Sequence, residues 1–255
     1  MAIITLTSDL GSKDHDVAVI KAAIFAELPE VKIVDISHEI SPFDIQEAAY
    51  ILKNSYPYFP AGSVHIIGMN DEKTPNSRHL AIYCDRHYFI GDDNGIFSLV
   101  FAKYPEKIIE LDLRVNSVFP TRDIFAKAAC HIARGGTLEM LGKPIETVTQ
   151  RLILRPVSTP TTIRGSVIYI DYFGNVIYNI KESLFKEVGK GRPFQIFFKN
   201  QSFDTLSKKY SDVSEGELLA LFNASGFLEI AQNKGRIGRL EGIHINDPIT
   251  IEFHD

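Results

Sequence analysis

Polar residues follow several short apolar runs of this chain, and five such segments could carry chemistry. These segments are residues 7–14, 68–78, 92–95, 171–175 and 223–235. In an open α/β sheet, ligands bind beyond the carboxyl ends of the strands. Asp9 follows the first run, so its carboxylate could accept hydrogen bonds from a pair of hydroxyl groups such as those of a ribose. A residue of this type also caps helices and turns, and both interpretations stay open.

Two of the segments place carboxylates beside groups that could bind water or an ion. Adjacent Asp92 and Asp93 could hold Mg²⁺, although the Asp-Asn-Gly sequence here is also typical of a turn. In the second segment, Asp71 and Arg78 lie in a polar loop after an apolar run. An arginine near a carboxylate could position a water molecule or bind an anion, and a solvated loop is the alternative.

The last two segments have the composition of a pocket for a small molecule with a polar and an aromatic part. Asp171, Phe173 and Asn175 lie close together in sequence, so a ring could stack on a purine while the amide binds its polar edge. A core position for Phe173 followed by a hairpin turn is the alternative. Ser225 and the backbone around it could bind a carboxylate or an amino group, or could form a turn between two strands.

The sequence does not favour several other kinds of site. The histidines are dispersed, and Cys84 and Cys130 lack metal-ligand spacing, so we expect no metal site and a reduced environment. The Gly-x-Ser-x-Gly and Gly-x-Gly-x-x-Gly motifs are both missing from the sequence, which disfavours a triad hydrolase and a dinucleotide-binding fold.

Composition and charge narrow the range of partners. The 255 residues carry 27 basic and 32 acidic side chains, and this net charge of −5 argues against a nucleic-acid partner. No apolar run of the sequence approaches the roughly 18–20 residues that a membrane span needs. The first residues also lack the basic start of a secretion signal. We therefore expect a cytoplasmic protein without membrane or nucleic-acid partners.

The elements that must position these residues alternate between strands and helices over the first part of the chain. This order favours an α/β domain with a mostly parallel central sheet covered on both faces. The predicted helices cover residues 16–28, 44–53 and 122–134. The predicted strands cover residues 2–7, 31–36, 64–69, 79–84, 87–90 and 108–111, of which 79–84 and 87–90 form a hairpin.

The second part of the chain is rich in strands. Closely spaced glycines separate predicted strands at residues 163–171, 176–180, 194–198, 218–222, 228–231 and 249–253, with one helix at 181–188. This pattern predicts a small antiparallel β-barrel or sandwich. The Pro/Thr-rich residues 156–162 are typical of a linker. We therefore predict an N-terminal α/β domain at 1–155 and a C-terminal all-β domain at 163–255, which the family resemblance described below implies to be a β-barrel.

Taken in order, these segments resemble the S-adenosyl-L-methionine hydroxide adenosyltransferases, which are relatives of the bacterial fluorinase and chlorinase. Each motif is short, but the ordered set spans nearly the whole chain. The matching motifs are Thr7–Gly11 with Asp14, Val17 and Lys21, then Asp35–His38, Ser41–Ile45, Asp93–Gly95, Thr121–Ala126, Asp171–Asn175 and Asn223–Ala231.

The resemblance implies an enzyme that takes S-adenosyl-L-methionine as substrate, needs no cofactor and forms a homotrimer. The ligand would lie between one subunit's N-terminal domain and a neighbour's barrel. Attack of water or hydroxide at C5′ of the ribose would give adenosine and L-methionine, and orientation and desolvation would lower the barrier. The implied binding residues are Asp9 for the ribose hydroxyls, Asp171 and Ser225 for polar groups of methionine or ribose, Phe173 and Asn175 for adenine, and the backbone near Ile237 for the purine edge.

Two motifs depart from the family pattern. Members that use hydroxide carry an aspartate and an arginine in the loop after the third strand, and a histidine before a later Gly-Arg-Asp. Counting back from Arg78 assigns the aspartate position to Asp71, whereas counting forward from the preceding strand assigns it to Asn70. Pro120 replaces the histidine and offers no proton acceptor.

With these departures, the resemblance implies that the attacking water depends on Asp71, Arg78 and Thr121. Two alternatives stay open. One is a protein that binds adenosine or S-adenosyl-L-methionine without turnover, and the other is adenosyl transfer to a halide.

Overall fold

The chain divides into two compact units, Met1–Leu152 and Ile153–Asp255, which we call unit 1 and unit 2. The computed structural model describes residues 2–69, 78–112, 117–152 and 154–254, with the backbone alone at positions 239 and 240. Within these ranges, none of the helices is long and apolar enough to cross a membrane.

Unit 1 alternates strands and helices. Its strands are β1 Ile3–Ser8, β2 Lys32–Ser37, β3 Val64–Gly68, β4 His79–Cys84, β5 His87–Asp92, β6 Lys107–Leu111 and β7 Gly142–Pro144. Its helices are α1 Asp16–Glu27, α2 Ile45–Lys53, α3 Ile96–Val100 and α4 Ala126–Ala133, with a π-helical turn at Thr121–Phe125 and short 3₁₀ turns at Tyr56–Tyr58 and Leu138–Met140.

The strands of unit 1 form one sheet in the order β2-β1-β3-β5-β4-β6-β7. The pairs β2–β1, β1–β3 and β3–β5 are parallel, whereas β5–β4, β4–β6 and β6–β7 are antiparallel. The sheet is mixed because β4 and β5 form the predicted hairpin. Its two-residue loop, Asp85 and Arg86, has φ values of 53° and 65°, the conformation that suits the twist of a tight hairpin.

Both faces of this sheet are covered, as the sequence pattern predicts. Ile4 and Ile66 point to the face that packs against α1 and α4, whereas Ile67 and Ile82 point to the face that packs against α2 and α3. Asp44 fixes the start of α2, because its carboxylate accepts hydrogen bonds from the backbone of the first helical turn at 3.0 and 2.9 Å. The α/β fold class is confirmed for this part of the chain.

Unit 2 is built mainly of strands. These are β8 Val157–Ser158, β9 Thr162–Ile170, β10 Val176–Lys181, β11 Phe194–Phe198, β12 Gln201–Phe203, β13 Leu218–Phe222, β14 Phe227–Gln232 and β15 Pro248–Phe253. Its helices are α5 Glu182–Gly189 and α6 Ile237–Leu240, with a 3₁₀ turn at Tyr210–Asp212.

The pairings in unit 2 are antiparallel along the order β12-β11-β15-β9-β10-β14-β13, with β8 on β9. Side chains from distant strands, such as Ile163, Phe198 and Ala220, meet in one core. The sheet is therefore curled around its own interior, and the predicted barrel class is confirmed. Residues 156–162 include β8 and lie within unit 2, while the proposed domain limits stay a prediction.

Candidate functional site

The parallel strands of unit 1 bring several polar groups to one edge of the sheet. Strands β1, β2, β3 and β5 end at Ser8, Ser37, Gly68 and Asp92. Because these strands are parallel, their carboxyl ends lie along the same edge, which we call the carboxyl edge. In an α/β sheet this is the edge at which ligands bind.

Asp9 lies just beyond β1 and is half-buried. Its Oδ2 accepts a hydrogen bond of 2.8 Å from the backbone N–H of Phe43. Phe43 has a left-handed backbone with φ 66° and a side chain that is 66% exposed. The interaction orients the Asp9 carboxylate at the carboxyl edge, and the predicted binding of ribose hydroxyls stays a prediction.

A chain of polar contacts joins the ends of β1 and β2. The Ser8 hydroxyl lies 2.7 Å from Nδ1 of His38, whose Nε2 is 3.1 Å from Oδ1 of Asp35. Lys21 donates a hydrogen bond of 2.6 Å to the other oxygen of Asp35. Burial acts to raise the pKa of Asp35, but the hydrogen bonds from Lys21 and His38 outweigh it and hold that pKa below its usual value.

Arg78 and Asp93 form an ion pair next to the hairpin of β4 and β5. The Asp93 side chain is only 1% exposed, and its second oxygen accepts a 2.7 Å hydrogen bond from the backbone of Thr149. The Arg78 side chain is 34% exposed, so its guanidinium is held by a buried carboxylate while still reaching the surface. Asp71 and Asn70, the predicted partners of Arg78, lie outside the described residues.

His79 and Asp92 form a second acid–base pair one residue further into the same two strands. The two residues face each other in the β4–β5 register, and Nδ1 of His79 contacts Oδ1 of Asp92. Their side chains are 1% and 7% exposed. Asp92 and Asp93 each contact a different base. Among the residues that the structure describes, no group of three His, Cys, Asp or Glu side chains that could hold a metal is found, and the expected lack of a metal stays a prediction.

Thr121 lies against the end of β3 and is 2% exposed. A Cβ atom added to Gly68 would lie 2.7 Å from the Thr121 hydroxyl oxygen, so glycine at this position allows the close approach. Thr121 opens the π-helical turn that follows Pro120 and ends at Phe125. The structure thus places Arg78 and Thr121, two residues predicted to be catalytic, at the same edge of unit 1.

Unit 2 contains a cavity of about 460 Å³. Three of the predicted binding residues line it together, along with four polar or charged side chains and a glycine. The lining residues are Asp171, Phe173, Asn175, Tyr210, Gln232, Lys234, Gly235 and Arg236.

The turn between β9 and β10 fixes the predicted residues at this cavity. The Asp171 carboxylate accepts hydrogen bonds from the backbone N–H and the side-chain amide of Asn175, at 2.8 and 3.0 Å. Gly174 has φ 83°, a left-handed conformation that glycine adopts without strain. Phe173 is 67% exposed at the tip of the turn. A rigid turn therefore presents an aromatic face, a carboxylate and an amide to one space.

A buried carboxylate also supports this cavity, and the sequence interpretation did not include it. Glu229 is 3% exposed and accepts hydrogen bonds from the Tyr210 hydroxyl at 2.8 Å and the Asn223 amide at 3.1 Å. Burial raises the pKa of Glu229, and the nearby Asp171 carboxylate raises it further. Burial and Glu229 likewise raise the pKa of Tyr210, so its phenol keeps its proton and acts as a donor.

The other two predicted binding residues lie outside the cavity lining. Ser225 is half-buried between β13 and β14, where its carbonyl accepts a 2.8 Å hydrogen bond from Lys181. The Ile237 side chain is 1% exposed and belongs to the barrel core. Its neighbour Gly238 donates a 2.8 Å hydrogen bond to the carbonyl of Gly174, so the backbone here packs on the turn. Binding by Ser225 and Ile237 stays a prediction.

The two units together define a class of protein. A sheet with carboxylate and hydroxyl groups at its carboxyl edge, and a barrel with an aromatic and amide-lined cavity, suit the binding of a small molecule with polar and aromatic parts. The chain belongs to the S-adenosyl-L-methionine (SAM) hydroxide adenosyltransferase family. The family model of the N-terminal domain matches residues 4–142, and that of the C-terminal domain matches residues 165–250.

Relatives with known names are similar over nearly their whole length. The (R)-S-adenosyl-L-methionine hydrolase of Thermus thermophilus is 30% identical, with 96% of this chain and 97% of the relative covered. The (R)-S-adenosyl-L-methionine hydrolase of Methanocaldococcus jannaschii is 31% identical, with 98% and 96% covered. A fluorinase of Actinoplanes is 24% identical over 91% of each chain.

Solved structures show the same fold. A conserved protein from Thermotoga maritima superposes with a TM-score of 0.89 at 30% identity, covering 98% of this chain and 99% of that one. A conserved hypothetical protein from Thermus thermophilus gives a TM-score of 0.79 at 29% identity, with 100% of both chains covered.

Proposed function

We propose that this protein is a SAM hydrolase, in which water or hydroxide attacks C5′ of the ribose and releases adenosine and L-methionine. The observation that carries the proposal is the convergence of Asp171, Phe173 and Asn175 on one cavity, in a chain whose two units both match the family. The hydrolase names of the relatives with 30% and 31% identity support this choice over halide transfer.

The chemistry of the cavity suits the adenosyl group. Phe173 offers a ring face on which a purine can stack, and the Asn175 amide can both donate to and accept from a purine edge. The Asp171 carboxylate holds this turn, and its charge also favours a positively charged ligand. The SAM sulfonium and amino groups are both cationic and suit this carboxylate, while Lys234 and Arg236 of the same lining suit the carboxylate of the ligand.

The carboxyl edge of unit 1 supplies groups for the reacting end of the ligand. Asp9 uses one oxygen to hold the Phe43 backbone, and its other oxygen can accept hydrogen bonds from ribose hydroxyls. Arg78 can orient a water molecule or hydroxide through its partly exposed guanidinium. Because the sulfonium is already a good leaving group, the chain has mainly to align the nucleophile with C5′ and to exclude bulk water.

The proposal extends to a cytoplasmic homotrimer that needs no cofactor and has its site at a subunit interface. Support for an interface comes from exposed aromatic residues of unit 2, since Tyr172 and Phe173 are 84% and 67% exposed. Exposed apolar groups of this size often mark contact surfaces. Light scattering tests the assembly, with a mass near three times 28.6 kDa expected.

Incubation of the purified protein with SAM tests the activity, with adenosine and methionine quantified by chromatography. Equal amounts of both products, unchanged by fluoride or chloride, are expected. A 5′-halogenated adenosine would instead establish halide transfer. Tight binding of SAM without products would establish a binding protein.

A substitution of Phe173 tests whether this ring binds adenosine, and a control variant shows whether the loss of any exposed ring has the same effect. Phe173→Ala is expected to weaken adenosine binding by about tenfold, because loss of stacking and burial costs roughly 1.5 kcal/mol. The control is Tyr58→Ala, which removes another exposed aromatic ring, from unit 1 (83% exposed). Isothermal titration calorimetry measures both affinities, and equal affinities in the two variants would remove Phe173 from the site.

A further inference from the structure

The His79–Asp92 pair is buried but incompletely satisfied. Nε2 of His79 and Oδ2 of Asp92 are buried atoms for which no hydrogen-bond partner is found within the described ranges. Buried polar atoms of native proteins are nearly always paired, and exceptions often mark functional sites. The pair lies at the carboxyl edge, next in sequence to Arg78 and Asp93.

The chemistry of His79 and Asp92 determines which atom of the pair can accept a proton. An ionised carboxylate can only accept hydrogen bonds, so Asp92 requires the proton of His79 on Nδ1. In the neutral imidazole this leaves the lone pair on Nε2. A histidine oriented in this way by a carboxylate is a proton acceptor whose cationic form is stabilised by the same carboxylate.

The other described groups at this edge are less suited to accept a proton. Both oxygens of Asp93 are occupied, one by Arg78 and one by the backbone of Thr149. Nδ1 of His38 is taken by the Ser8 hydroxyl at 2.7 Å, and its Nε2, which makes no well-aligned hydrogen bond, lies 3.1 Å from the Asp35 carboxylate. Pro120 has no titratable group.

The π-helical turn connects His79 to the end of β3. The ring of its last residue, Phe125, packs edge-on against the ring of His79, with 5.1 Å between centroids and an interplanar angle of 76°. Its first residue, Thr121, lies against Gly68. Ile67 of β3 pairs with Gly91 of the parallel strand β5. The next residue of each strand, Gly68 and Asp92, therefore lies beside the other. Thr121 thus lies on the same face of the sheet as the His79–Asp92 pair, with its hydroxyl beyond hydrogen-bond reach of Nε2 of His79.

We infer that His79, oriented by Asp92, takes up the proton that the attacking water loses; this inference rests on the proposed hydrolase function. The water oxygen forms a bond to C5′ as the C5′–S bond breaks, and the electron pair of that bond goes to the sulfur of methionine. One water proton passes to Nε2 of His79. The imidazolium then releases its proton to solvent, so SAM and water yield adenosine, methionine and H⁺.

Other charged groups surround the pair and enter the design of the test. Arg78 and Asp93 are paired with each other, as are Arg122 and Asp123 on the π-helical turn. Strand β6, which pairs with β4, contributes Glu110, and Asp112 follows it. A pH profile therefore needs a variant that changes the pair alone.

His79→Gln in the full-length protein is that variant, because glutamine can still donate to Asp92 but accepts no proton at neutral pH. The expected result is a kcat lowered by about 100-fold, in the range of general-base contributions, with KM for SAM within about twofold of the wild type. The fall of kcat at low pH should also disappear. His131→Gln is the control, since the ring of His131 in unit 1 contacts a backbone carbonyl, that of Thr137, at 3.0 Å.

A wild-type kcat and pH profile in His79→Gln would overturn the inference while leaving the hydrolase function intact. Failure of the wild type to release adenosine would overturn both. If His79→Gln does not fold, nitrogen NMR of the wild-type imidazoles decides. The expected result is a neutral ring with its proton on Nδ1, and a ring that carries its proton on Nε2 would overturn the inference, because that nitrogen could accept no proton.

Discussion

Two buried histidine groups lie toward opposite edges of the sheet of unit 1. Near the start of β3 and β5, the Thr5 hydroxyl contacts Nδ1 of His65 at 2.7 Å, and Nε2 of His65 contacts Nδ1 of His87 at 3.0 Å. We call Thr5, His65 and His87 the closed cluster. At the carboxyl edge, the open pair of His79 and Asp92 keeps one buried polar atom on each side chain without a partner in the described part of the chain.

The comparison shows that burial alone does not separate a structural histidine from one that can do chemistry. His65 and His79 are 0% and 1% exposed, yet only His65 has both nitrogens occupied. Aromatic rings of Tyr56 and Phe89 also pack around His65. The closed cluster should therefore contribute to stability and not to turnover, and the open pair should do the reverse.

The largest effect on stability is expected when the Asp93 carboxylate, which lies beside the open pair, loses the Arg78 guanidinium. Arg78→Ala leaves the Asp93 carboxylate, 1% exposed, without its cation, and should lower the free energy of unfolding by about 2–3 kcal/mol. It should also remove most of the turnover. Urea unfolding and the adenosine assay measure the two effects. The control, Arg78→Lys, should recover most of the stability, and equal stability of the alanine variant and the wild type would contradict the assignment.

The closed cluster should make the protein sensitive to acid. Burial, followed by the neighbouring His87, lowers the pKa of His65 to about 3, and burial lowers the pKa of His87. The unfolded chain then binds more protons than the folded one below pH 6.5, so this contribution to stability is complete above pH 6.5 and is lost as the pH falls toward 3. Between pH 7 and pH 5 the free energy of unfolding should fall by about 2 kcal/mol through His65.

Urea unfolding of the wild type and His65→Leu at pH 7, 6 and 5 tests this expectation. The variant should be less stable at pH 7 and should depend less on pH. Parallel curves for the two proteins would show that His65 is not the acid-sensitive group.

A smaller effect is expected from the hydroxyl of the closed cluster. Thr5→Val keeps the shape of the side chain but leaves Nδ1 of His65 without its partner, so the free energy of unfolding should fall by about 1 kcal/mol. The turnover of SAM should not change. Thr161→Val, at an exposed position, is the matched control and should have almost no effect. A loss of turnover in Thr5→Val would contradict the claim that the closed cluster contributes to stability and the open pair to turnover.

Features encoded within a few neighbouring residues could be predicted from the sequence. The capping residue Asp44, the hairpin of β4 and β5, and the turn from Asp171 to Asn175 each depend on local contacts. The turn in particular brings its own carboxylate and amide together, so its composition alone indicated a pocket. The prediction that these residues share a site in unit 2 did not require distant contacts.

Features that join distant residues could not be predicted in this way. His79 and Asp92 meet only because the hairpin register pairs them, and Tyr210 meets Glu229 only after β13 and β14 are in place. The helix α3 was missed because Asn94-Gly95 resembles a turn. In the structure, Gly95, with φ 97°, is the residue that starts this helix.

Hydrolysis in ¹⁸O-labelled water tests the central claim most directly. The purified protein is incubated with SAM, and the adenosine released is analysed by mass spectrometry. The proposed attack of water at C5′ predicts one ¹⁸O atom in the 5′-hydroxyl of every adenosine formed, together with an equal amount of unlabelled L-methionine. Adenosine without the label, or no adenosine from protein that binds SAM, would contradict the claim.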